Sequence, residues 1–324
     1  MLSEPSDLLP VVRACELDEP ALNQRWLVDS LWARAGVGVI GGSPKSCKSW
    51  LALDIALSVV SSTPCLGRFE VHDPGPVLVY FAEDPPGLVR QRLASGCSHR
   101  ALDLEALPLH VITAPSVRLD LRTDQQRLDR TLAALSPRLL IVDPFVRLHR
   151  INENDAGEVS GLLAFLREMQ RKHDLAVIVV HHTRKNGPAG GQAGQGLRGS
   201  GDFHAWTDSA LYLRRKNDQL LLTIEHRAAP VPDPLTLALT TSPLGHVYLD
   251  VAGAAPETPI TDLSRRILET IDRFEGGATR DALRSALRVR NQRLGAALAE
   301  LTSSGQIIRT ASGWARSVGP VPTP

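Results

Sequence analysis

Few cysteines, no surplus of charge and no long apolar run mark this chain, and each shortage removes a class of protein. The four cysteines, Cys15, Cys47, Cys65 and Cys97, are scattered through 324 residues. No C-x-x-C pair and no histidine at finger spacing accompanies them, which argues against a structural zinc site and a disulfide framework. A formal net charge of +1 gives no global attraction to polyanions, so any nucleic-acid contact needs a local basic surface. No stretch approaches the roughly 18 uninterrupted apolar residues of a membrane span. The opening decapeptide, MLSEPSDLLP, is acidic and contains proline, unlike a signal peptide. Together these features predict a cytoplasmic protein with no membrane partner.

What remains is ordinary globular material: 43% hydrophobic and 22% charged residues, enough for a real core. The length suits two domains, or one with an appendage. Residues 1–24 lack periodicity and read as an arm. From residue 37, apolar runs alternate with helical patterns. The runs are VGVI (37–40), PVLVYFA (76–82), LHVITA (109–114), LLIVD (139–143) and AVIVV (176–180); the helical patterns cover 48–60, 87–95, 124–135 and 157–172. Such alternation predicts an α/β fold with a mostly parallel sheet covered on both faces, and continuous runs fit strands buried on both sides. The first helix is apolar almost all round (Trp50, Leu51, Leu53, Ile55, Leu57, Val59), which places it in the core.

The rhythm changes after GPAGGQAGQGLRGSGD (187–202). Short strands with tight turns follow, predicting an antiparallel meander. The expected organisation is an arm over 1–24, an α/β domain over 25–250, a linker over 251–260 and a C-terminal unit over 261–318. That unit opens with a helix bearing Leu263, Ile267, Ile271 and Phe274 on one face, with Thr261 as its N-cap. Two more helices and a two-stranded ribbon complete the outline of a winged helix.

Between the first strand and first helix lies GGSPKSCKSW, a near match to the phosphate-binding loop G-x-x-x-x-G-K-[ST]. Its candidate ligand residues are Gly42, Ser43, Pro44, Lys45, Ser46, Cys47, Lys48, Ser49 and Trp50. In such a loop, backbone N–H groups and a helix N-terminus surround phosphates, lysine reaches the β/γ oxygens, and the hydroxyl residue ligates Mg²⁺. Cys47 stands where the pattern wants glycine; at a positive φ its Cβ would cost roughly 1–2 kcal/mol. Three other apolar runs end in polar groups. LLIVD ends in Asp143, a candidate Mg²⁺ ligand beside Ser49. VLVYFAED ends in Glu83 and Asp84, one of which could activate water. VIVVHH ends in His181 and His182, where a side chain can sense a γ-phosphate. Ligands bind at the carboxyl ends of such strands.

Taken together, GGSPKSCKS, VYFAEDPPGLVRQRL, LLIVDP, VVHHTRK and LRGSGD resemble the RecA-type P-loop ATPases of the AAA class, and within them the plasmid RepA-type hexameric replicative helicases. The likeness covers about residues 36–250 and is most specific in AEDPP with its downstream Arg92. It implies that Lys48 binds ATP, Glu83 is the catalytic glutamate, Asp143 the Mg²⁺-holding aspartate and His182 the γ-phosphate sensor. It also implies a hexamer whose loops RINENDAGEVS and 184–200 touch single-stranded DNA in a channel. Three departures stand out: Cys47, Asp208 where relatives carry a trans-acting arginine, and the added winged helix. Asp208 shifts the trans role to another arginine, and TIEHRAAP offers Arg227.

Arg184, Lys185 and Arg198 flank the glycine-rich loop, but no aromatic lies within it, so its DNA contact would run through backbone phosphates. Over 262–316, ten arginines stand against six acidic residues. Arg280, Arg284 and Arg288 lie four apart on one helix face, with Arg290 and Arg293 just beyond. This predicts contact with duplex DNA or a recruiting protein. The leading expectation is an ATP- and Mg²⁺-dependent ring motor on DNA, a replicative helicase of a mobile element. A non-translocating, ATP-dependent, DNA-bound regulator or loader, and a small-molecule P-loop kinase, are the alternatives.

Overall fold

Strand and helix alternate in the computed structural model as the apolar runs dictate. It describes residues 11–17, 22–153, 155–182, 200–216, 219–243, 245–252, 260–274, 277–287, 289, 294–295, 297–298, 301–302, 306–310 and 312–316. The chain divides into two compact units, Met1–Ala252 and Gly253–Pro324.

After two short 3-10 turns at Ala14–Glu16 and Leu22–Arg25, the first unit has a ribbon that no apolar run announces, β1 (Trp26–Val28) and β2 (Trp32–Ala33). Next come β3 (Val37–Gly42), α1 (Lys48–Ser61), β4 (Val77–Phe81), α2 (Pro86–His99) and β5 (Leu109–Val111). They are followed by α3 (Arg122–Leu135), β6 (Leu139–Asp143), α4 (Ala156–His173), β7 (Ala176–His182) and α5 (Ser200–Trp206). Four further strands close the unit: β8 (Ser209–Lys216), β9 (Gln219–His226), β10 (Leu235–Thr241) and β11 (Val247–Val251). All nine strands from β3 onward form one sheet, ordered β11-β10-β9-β8-β3-β7-β6-β4-β5. From β8 to β5 the pairs are parallel; β8 through β11 form an antiparallel meander. The predicted strand at 109–114 is shorter than expected, ending at Val111.

Burial on both faces explains the continuous apolar runs. Every residue of β3, β4 and β6 is buried. On one face, Leu140, Val142, Val177 and Val179 join Leu162, Leu163 and Leu166 of α4 in one core, each such side chain contributing about 1.5–3 kcal/mol. Helix α1 buries Leu51, Leu53, Ile55, Leu57 and Val59. Trp50 departs from the expectation: it is only half-buried, with the Arg92 guanidinium 5.5 Å from its ring centre. The same helix buries a charge, Asp54. Its carboxylate accepts from the Leu66 N–H at 2.7 Å and pairs with the guanidinium of Arg100, at the end of α2. A buried carboxylate needs such partners, because removing one strands the other charge.

The second unit contains α6 (Ile260–Ile271), α7 (Arg280–Leu287) and the antiparallel pair β12 (Ile307–Thr310) and β13 (Gly313–Arg316). Leu263, Ile267, Ile271, Leu283, Leu287, Leu298 and Ile307 form its core. Two expectations fail here. Helix α6 starts at Ile260, so Thr261 is inside its first turn rather than capping it. Phe274 lies beyond the last helical residue and is 39% exposed, so the buried face stops at Ile271. Arg288, Arg290 and Arg293 lie outside the described residues, as does most of the expected linker.

Candidate active site

The phosphate-type loop turns β3 into α1. Glycine is needed at 42, because a Cβ there would lie 2.6 Å from both the Leu213 carbonyl oxygen and Ser46 Oγ. Lys45 and Cys47 both take left-handed backbone angles, φ 63° and 62°, a turn geometry that gathers N–H groups around an anion. Cys47 is the N-cap of α1 and supplies no side-chain cap, so the first-turn N–H groups face the loop as donors. Ser43, Pro44 and Lys45 are exposed, Cys47, Ser49 and Trp50 half-buried, and Ser46 and Lys48 buried. Lys48 Nζ donates to the Ser43 carbonyl at 2.8 Å, and Ser46 Oγ donates to the same oxygen at 2.8 Å. Burial pushes the Lys48 ammonium below its usual pKa, and nearby Asp143 opposes that shift. Holding this cation on a neutral carbonyl leaves it ready for a stronger, anionic acceptor.

Parallel register brings the other strand-end groups to the same edge. Gly42 pairs with His182 across β3 and β7, and Phe81 pairs with Asp143 across β4 and β6. Asp143 is 7% exposed. Its carboxyl is pushed up to about 6, chiefly by burial and further by Asp84 and Glu83, while the nearby Ser49 hydroxyl and Lys48 pull it down. Among the described residues, Asp143 Oδ2 is buried without a hydrogen-bond partner. A buried carboxylate oxygen beside a serine hydroxyl is a hard-oxygen pair, and it fits Mg²⁺, which takes one or two carboxylates and fills its shell with water and phosphate. No cluster of three or more His, Cys, Asp or Glu able to hold a metal occurs among the described residues.

Glu83 and Asp84 follow β4 after Ala82, and both are engaged by arginines. Arg147 Nε donates to Glu83 Oε1 at 2.9 Å, and Arg92 pairs with Asp84. Motif reading misses Arg147, because a single arginine four residues after Asp143 carries no pattern.

A family model described as an AAA domain matches residues 3–188, more than half of the chain. The chain belongs to this AAA-domain family. Solved structures extend the comparison. One, described as an ATPase domain, matches at a TM-score of 0.52 with 15% identity, over 67% of this chain and 85% of that one. A DnaB-like replicative helicase, described with its interactions with primase, matches at 0.51 with 16% identity, over 66% of this chain and 59% of that one. The fold of this AAA protein is therefore that of the RecA-type P-loop ATPase domains.

Arg227 stands apart from the other candidates. Ser209 pairs with Gly38 on one side and His226 on the other, so Arg227 lies at the edge where β3 begins. Gly42 is four residues along, roughly 13 Å at about 3.3 Å per residue. Arg227 therefore sits at the other end of the strands from Lys48. Its guanidinium donates to the Ala205 carbonyl and lies 3.5 Å from Asp208, so Asp208 is a local acidic partner of Arg227. Around it opens a cavity of about 340 Å³, lined by His204, Thr207, Asp208, Glu225, His226 and Arg227. Asp208 has its own structural work: Oδ2 accepts from the Val37 N–H at 3.0 Å and from Arg167 at 2.6 Å, locking the starts of β3 and β8 to α4. Arg184, Lys185, Arg198 and the glycine-rich loop lie outside the described residues. No described helix is long and apolar enough to cross a membrane.

Proposed function

We propose that the chain is an ATP-hydrolysing, ring-forming motor on DNA, a replicative helicase of a plasmid or other mobile element. What supports the reading is the parallel register that puts the strand-end groups Asp143 and His182 at the edge where Lys48 and Ser49 begin α1, with Asp143 Oδ2 buried and, among the described residues, without a hydrogen-bond partner, and Glu83 just beyond β4. Lys48 leaves the Ser43 carbonyl for β/γ-phosphate oxygens of ATP, while the loop and α1 N–H groups hold the phosphates. Ser49 and Asp143 would hold Mg²⁺, which when bound neutralises charge on the phosphate oxygens. Glu83 takes the proton of the attacking water. His182 bonds the γ-phosphate and loses that bond after hydrolysis.

Arg227 acts on the neighbouring subunit's ATP, and its place at the opposite edge of the sheet supports a ring, by resemblance a hexamer. One solved relative is described as a replicative helicase that interacts with primase, which supports DNA as the track. Residues 184–200 contact single-stranded DNA, and the unit over 261–318 serves as a winged helix for duplex DNA or a recruiting protein. Turnover measured with and without single-stranded DNA, with particle symmetry from electron microscopy, tests the motor. Lys48→Ala should abolish tight ATP binding, and unchanged affinity in calorimetry would refute the loop's role.

A further inference from the structure

Both acidic side chains after β4 are held by arginines, but unequally. The Asp84–Arg92 pair is sheltered, each side chain 23% exposed. In the Glu83–Arg147 pair, Glu83 is 48% and Arg147 60% exposed. Arg147 ends the short turn Phe145–Arg147 that directly follows Asp143 and Pro144. The base of that turn is fixed: Phe145 is fully buried. Its ring centre lies 4.6 Å from His149, 5.1 Å from Phe203 and 5.8 Å from His181. His181 in turn stacks on Phe203 at 4.6 Å and 17°. Core rings therefore set the backbone from which Arg147 reaches out to Glu83.

We propose that Arg147 is a positioning residue for Glu83: it holds the carboxylate at rest, and hydrolysis requires the pair to open. The inference rests on the reading of Glu83 as general base. A base must offer a carboxylate oxygen to water, and a guanidinium donating to Oε1 competes with that water. An ion pair this exposed biases the population by no more than about fivefold, so it restrains Glu83 without locking it. The ring stack supplies the means of opening. His181 is the chain neighbour of His182, the proposed γ-phosphate sensor, and Phe203 lies on α5. A shift of His181 or of α5 passes through Phe145 to the turn that carries Arg147.

The test is kcat and KM for ATP in the full-length wild type, Arg147→Gln and Arg147→Lys, with and without a single-stranded oligonucleotide. Arg147→Gln should raise DNA-free kcat about three- to fivefold, with KM held within about twofold and DNA-stimulated kcat unchanged. The stimulation ratio should fall by the same factor. Arg147→Lys, which keeps the cation, should stay within about twofold of wild type throughout. An unchanged or lowered DNA-free kcat in Arg147→Gln would overturn the inference, as would equal losses in both variants, which mark an arginine that serves the fold or the phosphates. A wild type that hydrolyses no ATP in either condition would overturn the proposed function and this inference with it.

Discussion

Replacing Cys47 with glycine tests the loop at its most unusual residue. Cys47 sits at φ 62° and ψ 22°, a left-handed conformation that costs an L-residue roughly 1–2 kcal/mol. Glycine removes that cost but adds about 0.5–1 kcal/mol of backbone entropy to the unfolded chain. The balance is a gain of roughly 0–1.5 kcal/mol. At about 2–4 °C per kcal/mol for a domain of this size, melting should rise by no more than roughly 6 °C. Cys47→Ala is the control, since it keeps the Cβ and the strain while dropping the sulfur. It should melt within about 1 °C of wild type. Scanning calorimetry with and without nucleotide, alongside turnover, reads both effects, and turnover of Cys47→Gly should match or exceed wild type. If Cys47→Gly melts below Cys47→Ala, the strain assigned to this position is wrong. Loss of nucleotide binding in both variants would instead show a role for the thiol itself.

Other outcomes follow from the same geometry. Glu83→Gln should bind ATP normally yet hydrolyse it slower by about two to four orders of magnitude, trapping an ATP-bound assembly; persistent turnover with a dead Asp84→Asn would exchange the roles of the two acids. Deleting residues 255–324 should spare basal hydrolysis and weaken binding to duplex DNA or a recruiting protein, because the second unit has its own core; unfolding of the remainder on circular dichroism would contradict the boundary. Arg227→Ala should lose about 10³–10⁵ in rate if it acts in trans. Rings mixed from Arg227→Ala and Lys48→Ala subunits should then recover activity above either alone, and an Arg227→Ala protein as active as wild type removes it from the mechanism.

Much of the proposed edge is legible in the sequence because its chemistry sits in local runs. An apolar run that ends in Asp143, Glu83 or His182 declares both the strand and its terminal group, and parallel pairing then brings the ends together without further information. What escapes depends on side chains meeting across long separations. Arg147 reaches Glu83 over 64 positions and Arg100 reaches Asp54 over 46, and neither pair has a spacing that marks it. The buried Asp54 is hidden inside a helix that otherwise reads as apolar all round. Backbone sign is equally out of reach: the left-handed angle at Cys47 is a property of the closed loop, not of a tripeptide. The helix end fails for an ordinary reason. Thr261 has the chemistry of a cap, but Ile260 before it is already helical.

Asp208 shows why a substitution in a familiar motif need not be a loss. Where relatives are expected to carry a trans-acting arginine, this chain has a carboxylate that ties the Val37 N–H, Arg167 and Arg227 together. Two cations on one carboxylate compete for it, and Arg227 is both the more distant partner and the more exposed, at 53%. That makes Arg227 the one able to leave, at the modest cost of an exposed ion pair. In the proposed ring, a neighbour's ATP would bring a far stronger acceptor to this edge, and a guanidinium prefers phosphate oxygens in its bidentate geometry. Asp208 then holds the finger in reserve while Arg167 keeps its strand in place. The arrangement predicts an asymmetry between two variants that each remove one charge. Asp208→Asn should loosen the fold through Val37 and Arg167, whereas Arg227→Gln should leave melting nearly untouched and act only on turnover. Equal destabilisation by both would mean that Arg227 is a structural clamp, and the trans role would go with it.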